Sequence, residues 1–466
     1  MEAAIDRAID ANLDDYREAL FELLRQPSVS TTGDGMDAAP DLVVETLSRF
    51  GFETVRRIET DRYPVVYAER LADDAAPTIL FYGHYDVQPP GAETEWDSPP
   101  FEPTVRDGSI YARGAGDNKG QFAAHAFAVD ALLEADAFPE VTVKLVLDGG
   151  EESGSAGFRD YLASNPAELA DADVVYVADG PMFGPASGGG GRGARERRPL
   201  IAYGNKGVLS FQLDLRTANT DLHSGNFGGP VPDAATELVA VLASMRDGDE
   251  ITIDGFHEGI DVTAADRAAV EEVPTDEAAI REELELTHLA SELPYYERLL
   301  LGPTLTINGL SSGYRGDGMK TVLPSTATAK LDCRLVPHQD PDDVFETVRD
   351  HVTAHHPDVE VTKQGTFPPL KTPIDAPVAD PIAAALEAVW ERDPVEFPVL
   401  GGSLPAAYFR EVPALADVPV LIVPYANPDQ GNHSPNEHLD LECFENGIRT
   451  SATVIHDLGE ADAFAE

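Results

Sequence analysis

Between Pro77 and Asp179 the chain alternates short β-rich runs with polar turns and one helical stretch, and that alternation narrows the fold to a single class. Residues 78–82 (TILFY) form an apolar run that leads to His84, and residues 118–133 carry a helical period. Residues 141–147 (VTVKLVL) lead to Glu151-Glu152, and residues 174–177 lead to Asp179. Strands alternating with helices build a largely parallel sheet with helices on its faces. In open sheets of this kind the ligand crevice lies outside the C-terminal ends of the strands. Each acidic or histidine signature follows such an end, so separate strand assignments converge on one site.

The signatures are His84-Tyr-Asp86, Gly116-Asp117-Asn-Lys-Gly120, Glu151-Glu152 and Asp179-Gly-Pro181, joined late in the chain by Gly431-Asn-His433-Ser-Pro-Asn-Glu437. Two histidines, three carboxylates and a spare carboxylate are the residue types that hold two divalent ions and keep a base. His84 and Asp86 stand two apart at a strand end and share a face. Asp86 can therefore orient the imidazole of a ligand through its second ring nitrogen. Asp117 opens a helix between two glycines that let the backbone turn tightly, and its two oxygens can bridge two cations. Glu152 and Asp179 supply one carboxylate to each ion, and His433 completes the set. Glu151 is left free to take a proton from a water acidified toward ~7.

Each signature alone has a plainer reading. A histidine after a strand is commonly a satisfied core residue, Asp117 suits a helix N-cap, and a Glu-Glu pair is usually surface charge. Their joint occurrence, in this order, favours metal. Two other patterns lead elsewhere. Gly114-Ala-Gly116-Asp-Asn-Lys-Gly120 approaches a dinucleotide fingerprint, but its last glycine comes one residue late and Asp117 would oppose a pyrophosphate. His351, His355 and His356 lack an accompanying HExxH pattern, so a solvated helix end is expected there.

At 466 residues the chain accommodates about three domains of roughly 150 residues, or two large ones. Asp and Glu number 83 against 33 Lys and Arg, only 7 of them Lys, giving a net charge of −50. An excess of that size argues against nucleic acid or anionic membranes as partners. It suits a halophilic protein in concentrated cytoplasmic salt, where the screening length shrinks to about 3 Å at 1 M. The two cysteines, Cys333 and Cys443, sit outside any CxxC pair and imply a reducing compartment without disulfides. The first 26 residues read as an amphipathic helix with Ile5, Ile9, Leu13 and Leu20 among its apolar positions. That stretch lacks the basic and apolar regions of a signal peptide. No apolar run approaches 18 residues. The expected location is the cytoplasm.

Residues 184–198 are Gly-rich and carry Arg192, Arg195, Arg197 and Arg198, as a flexible solvated loop would. Beyond Leu200 the pattern changes. A strand-like run at 208–215, a helical charge-rich stretch near 232–301 and strand-like runs at 328–336 and 359–361 read as a second, α+β domain. A helix-like 381–392 and strand-like 418–423 return the chain to the first sheet. The expected division is residues 1–203 with 376–466, and an inserted 204–375.

These motifs resemble those of the metallopeptidase family that includes carnosinase, cytosolic nonspecific dipeptidase, carboxypeptidase G and acetylornithine deacetylase. The match is most detailed to the dipeptidase–carnosinase branch and covers about residues 20–455. It is carried by His84-Tyr-Asp-Val-Gln-Pro89, Tyr111-Ala-Arg-Gly-Ala-Gly-Asp117-Asn-Lys-Gly120 and Asp148-Gly-Gly-Glu-Glu152-Ser-Gly-Ser155. The resemblance implies that Asp117 bridges two metals, that His84 and Asp179 bind one, and that Glu152 and His433 bind the other. It puts Glu151 on the general-base position and Asp86 on the residue that orients the histidine ligand. The inserted domain resembles the family's lid and dimerisation domain. There, Asp221-Leu-His223-Ser-Gly-Asn-Phe-Gly-Gly229 is similar to the segment whose histidine enters the partner subunit's site in a homodimer.

Gly316-Asp-Gly-Met-Lys-Thr321-Val-Leu-Pro324 and Cys333-Arg334-Leu-Val-Pro337 resemble substrate-anchoring segments, with Arg334 gripping a C-terminal carboxylate as a guanidinium fork can. Gly402-Ser403 falls on a substrate-contacting turn. The stretch 232–301 is similar in size to that of the dipeptidase branch and unlike the shorter-lidded deacetylases. Two departures stand out. The branch often carries Asp-Asp-Lys-Gly where this chain has Asp117-Asn118-Lys119-Gly120, which touches only the hydrogen bonding around the ligands. Residues 184–198 form an unusual expansion near Asp179.

The expectation is an α/β hydrolase of amide bonds holding two divalent ions, zinc, manganese or cobalt, all of which suit carboxylate and imidazole donors. A dipeptidase acting on short peptides with a free C-terminal carboxylate fits best. The alternatives are an N-acyl-amino-acid deacylase with the same machinery and a catalytically silent metal-binding dimer. Glu151 speaks against the last, because a silent relative has no need of a base.

Overall fold

The structure, a computed structural model, describes residues 2–73, 76–184 and 197–460. Twelve of its strands matter here, in chain order: β1 (Thr54–Ile58), β2 (Val65–Arg70), β3 (Thr78–His84), β4 (Thr142–Asp148), β5 (Val174–Val177), β6 (Leu200–Ala202), β7 (Gly207–Arg216), β8 (Thr306–Ser312), β9 (Thr326–Leu335), β10 (Glu360–Phe367), β11 (Val395–Phe397) and β12 (Val420–Ile422). Eight form one sheet in the order β1-β2-β4-β3-β5-β12-β6-β11. Its centre, β4-β3-β5-β12, is parallel throughout, while β1 and β2 add antiparallel strands at one edge. At the other edge β12 meets β6 antiparallel, and β6 and β11 are parallel.

The apolar run of β3 reflects burial on both faces, as parallel central strands require. Ile79 and Phe81 pack on one side with the helices Glu2–Arg25, Lys119–Glu134 and Leu441–Glu460, and Leu80 and Tyr82 pack on the other. β4 and β5 divide their side chains in the same way, with Leu145 and Tyr176 on the first face and Val146 and Val177 on the second. No helix of the described residues is long and apolar enough to cross a membrane.

A second sheet, β8-β9-β7-β10, is antiparallel throughout. β7 alternates strictly, sending Leu209, Phe211, Leu213 and Leu215 into a separate apolar cluster beneath the helices Ala234–Ser244 and Pro341–His355. The chain passes between the two sheets where Gly204–Asn205 pairs with Leu370–Lys371. Gly204 has φ +153°, and a Cβ there would stand 2.0 Å from the carbonyl oxygen of Leu370, so the crossing tolerates no side chain.

The stretch near 232–301 differs from the continuous helical reading. It breaks into Ala234–Ser244, Ala264–Glu271, Glu277–Glu283 and a wide turn at Glu297–Leu301, with a small hairpin of Arg246–Asp247 and Glu250–Ile251 between the first two. The reason is local. Asp233, Thr263 and Asp276 each accept backbone N–H groups at a new helix start.

His351 contacts the Ser244 hydroxyl at 3.0 Å, and its ring lies 4.1 Å from that of His355, with neither in a group among the described residues that could hold a metal. Cys333 and Cys443 are free and buried. Most of the Gly/Arg-rich stretch, residues 185–196, lies outside the described residues. At its ends Phe183 and Arg198 exchange backbone hydrogen bonds, and Arg197 pairs with Asp440 and Glu442.

Candidate metal centre

Three adjacent parallel strands finish side by side. β3 ends on His84, β4 ends three residues before Glu151, and β5 ends two residues before Asp179. Glu151 and Glu152 occupy a 3-10 turn, Glu151–Ser153. Asn118, one residue later than the sequence suggests, stands at the N-cap position of the helix Lys119–Glu134 without a side-chain capping bond, and the Asp117 side chain is left to the site. His433 arrives on a loop beyond β12, its side chain 54% exposed against 1% for that of His84.

These side chains form two donor groups that share one residue: His84, Asp117 and Asp179, and Asp117, Glu152 and His433. In each group the donor atoms lie within 4.8 Å of one another. Nε2 of His84 is 3.0 Å from Oδ1 of Asp117 and 3.8 Å from Asp179. Nε2 of His433 is 3.2 Å from Oδ2 of Asp117 and 3.3 Å from Glu152. The two oxygens of Asp117 thus face different groups.

The electrostatics carry the same demand. Burial acts against charge on His84, yet Asp117 and Asp86 hold it well above the usual imidazole range. Hydrogen bonds with Asp117 and Glu152 push His433 up to about 10. Burial, then the neighbouring Asp117, raises Asp179 to about 7. Burial also lifts Glu151 well above the carboxylate range, against the pull of His84 and with added push from Asp179, Glu152 and Asp117. A cluster that draws protons onto its histidines and keeps them on buried carboxylates lacks positive charge. Two divalent cations fit that deficit and this donor set.

A model of "Peptidase family M20/M25/M40" matches residues 80–457. The chain belongs to that family. The Cys-Gly metallodipeptidase dug1 of Schizosaccharomyces pombe is 28% identical to the peptidase over 98% of this chain and 99% of its own length. The Beta-Ala-His dipeptidase of Rattus norvegicus is 27% identical over 85% of this chain and 80% of its own. A solved M20 family metallo-carboxypeptidase from Sulfolobus solfataricus superposes with a TM-score of 0.86 at 30% identity, covering 96% of this chain and 99% of that one. This M20 peptidase is therefore a metal-dependent hydrolase with the α/β fold of its family.

Around the donors of the peptidase stand polar residues, some of which the motifs had not singled out. Asp86, fully buried, lies 3.3 Å from Nδ1 of His84 and accepts the backbone N–H groups of Glu151 and Glu152 at 3.1 Å each. Gln88 donates to Glu152 at 2.7 Å, and its place inside the His84–Pro89 motif was the available signal. Asn118 accepts from the backbone of His84 and donates to the carbonyl of Ala178, joining the ends of β3 and β5. Gly83 permits that approach, since a Cβ there would lie 2.8 Å from the Asn118 oxygen. Gln121 donates to the carbonyls of Gly116 and Gly180 and accepts from Tyr425, with only its position one turn after Asp117 to suggest it.

The remaining residues of interest fall into two places. Arg334 on β9 donates to the Ser403 hydroxyl at 3.0 Å, so strand and turn meet across the two sheets, with Gly402 exposed beside them. His223 and Thr321 lie together elsewhere: His223 pairs in register with Val322, and the amide of Ser224 donates to Thr321. Both are exposed, and no hydrogen bond or ion pair among the described residues joins either to the donor groups.

Proposed function

We propose that this peptidase is a dipeptidase that cleaves short peptides with a free C-terminal carboxylate. The observation that carries the reading is the divided carboxylate of Asp117, with Glu151 set beside the two groups it joins. His84, Asp117 and Asp179 would hold one divalent ion, and Asp117, Glu152 and His433 the other; zinc, manganese and cobalt suit these donors. Such ions supply Lewis-acid polarisation of a carbonyl and acidify water.

The chain's own residues do the rest. Glu151, which bound cations would return to its ionised form, accepts a proton from the attacking water and passes it to the departing amine nitrogen. Asp86 fixes both the His84 ring and the turn that carries Glu151. Arg334, with Ser403 and Gly402, anchors the peptide's terminal carboxylate, to which a guanidinium bonds through two parallel N–H groups, and Thr321 contacts substrate from the separate segment that carries His223.

Residues 204–375 act as a lid and dimerisation domain, with 1–203 and 376–466 as the catalytic domain. The single paired crossing at Gly204–Asn205 supports that division. The edge strand β8, with Ile307 and Leu310 exposed at 42% and 53%, offers an apolar face to a second copy. In such a homodimer His223 reaches the partner's site, where it would polarise the scissile carbonyl. The acid-rich surface suits concentrated cytoplasmic salt.

The test is a panel of dipeptides and N-acyl amino acids in high salt, with enzyme stripped by chelator and reloaded one metal at a time. Turnover across dipeptides supports the reading. Turnover confined to N-acyl amino acids replaces it with a deacylase. A protein that binds two metals and hydrolyses neither class is a silent binder.

A further inference from the structure

Glu437 closes the late motif that brings His433, and nothing in the proposed chemistry uses it. It is 0% exposed, and its carboxylate lies within the turn that carries Asp117. Oε1 accepts the backbone N–H groups of Gly114 at 3.1 Å, Gly116 at 3.0 Å and Asp117 at 3.0 Å. Oε2 accepts from Nη1 of Arg113 at 2.6 Å. One buried carboxylate therefore fastens residues 113–117, and only three residues separate it from His433.

The loop between is under conformational strain. Gly431, His433 and Asn436 have φ of +68°, +59° and +61°. For His433 and Asn436 that conformation is costly and persists only where the surroundings hold it. Asn436 ties the loop outward to Glu95 and Asp97. Toward Asp117 the loop has Glu437, the His433 ring at 3.2 Å and a long contact from Asn432 at 3.5 Å. The other donor group is secured differently, by Asn118 on the His84 backbone and by Asp86 beside the imidazole.

We infer that Glu437 is a positioning residue that sets the separation of His433 from Asp117, and so governs the metal position of Glu152 and His433 more strongly than that of His84 and Asp179, to which it is linked through Asp117 alone. It acts through the backbone of both loops and touches neither substrate nor the reacting atoms. The inference rests on the two-metal reading above. A carboxylate is required because every group facing it is a donor: an amide at 437 would turn its NH₂ toward Arg113 or Gly114. Loss of residues that support ligands from behind typically costs 10- to 100-fold in metal affinity.

The experiment measures zinc stoichiometry and affinity by competition with a chromophoric chelator, for wild type, Glu437→Gln, Glu437→Asp and His433→Ala. Aspartate keeps the charge but is one methylene short of the three N–H groups, and it serves if the glutamine variant does not fold. Far-ultraviolet circular dichroism of the metal-free proteins checks the fold. Expected are two equivalents in wild type, and in the Glu437 variants one equivalent weakened at least ~10-fold more than the other. That pattern should match His433→Ala. Two equivalents at wild-type affinity in a folded Glu437 variant overturn the inference, as does equal weakening of both, which is what a general structural role gives. A wild type that binds a single equivalent instead defeats the two-metal reading, and this inference falls with it.

Discussion

Asn118 accepts the backbone N–H of His84 on its side-chain oxygen at 3.3 Å, and its amide nitrogen donates to the carbonyl of Ala178 at 2.7 Å. A neutral amide does both tasks at once, and an ionised carboxylate can do only the first. The residue is completely buried. Asn118→Asp should therefore destabilise the metal-free protein by about 1–3 kcal/mol, the cost of a buried polar group left without its partner. Denaturant unfolding in chelator measures it. An unchanged midpoint would show that the Ala178 bond contributes nothing.

Glu151→Gln should lower turnover by roughly 10²- to 10⁴-fold while the protein keeps both metals, since the change removes a proton acceptor and leaves the donor groups intact. Metal analysis of the purified variant decides the matter. If one equivalent disappears with the activity, Glu151 is a ligand and Glu152 the base.

His223→Ala should be inactive as a homodimer with every metal donor and Glu151 in place. Mixed with inactive Glu151→Gln under conditions that exchange subunits, it should regain activity, because in the hybrid one site has both Glu151 and a donated His223. Random exchange of equal amounts makes half the dimers hybrid, each with one working site of two. Recovery should then approach roughly a quarter of wild type in a two-fold dimer. A mixture that stays dead, with exchange verified separately, would show that His223 serves its own subunit.

Acid should weaken the fold through His125. This histidine is buried, contacts the Ser451 hydroxyl at 2.9 Å and stacks on Phe81 with ring centres 4.1 Å apart, while its Nε2 has no hydrogen-bond partner among the described residues. Burial lowers its pKa from 6.5 to about 3. Between those values the unfolded chain holds the proton and the folded chain does not. Stability from this group is complete above pH 6.5 and is lost as pH falls toward 3, by up to ~1.4 kcal/mol per unit. In His125→Gln, unfolding midpoints of the metal-free protein between pH 6 and 4 should fall less steeply. A slope equal to wild type would exonerate His125.

Much of this was legible in the residues. The apolar run at 78–82 and the strand-like run at 208–215 were both legible as strands, and the structure buries the first on both faces and the second on one. Because β3, β4 and β5 are parallel neighbours, a residue placed after each one's end could be assigned to a common crevice without coordinates. Asn118 and Gln121 were illegible as supports, because their partners are backbone atoms, all but Gly116 lying 34 to 305 positions away. Glu437 was in view within a quoted motif, but its contacts run to the amides of residues 114, 116 and 117, which no side-chain pattern records. The breaks within 232–301 came from short polar caps, whose strength depends on geometry that composition does not show.

The hydrogen bond between Arg334 and Ser403 also has a bearing on which peptide ends the enzyme accepts. Nη1 of Arg334 is held by this neutral hydroxyl while Nε lies 3.6 Å from the carboxylate of Asp332, so a terminus that takes the Ser403 bond at the proposed anchor must offer more than the hydroxyl it displaces. A carboxylate does, through charge and two parallel bonds. A carboxamide merely swaps one neutral acceptor for another. Capping a good dipeptide substrate as its C-terminal amide should thus abolish its advantage, and a serine in the resting enzyme becomes the standard against which each chain end is judged.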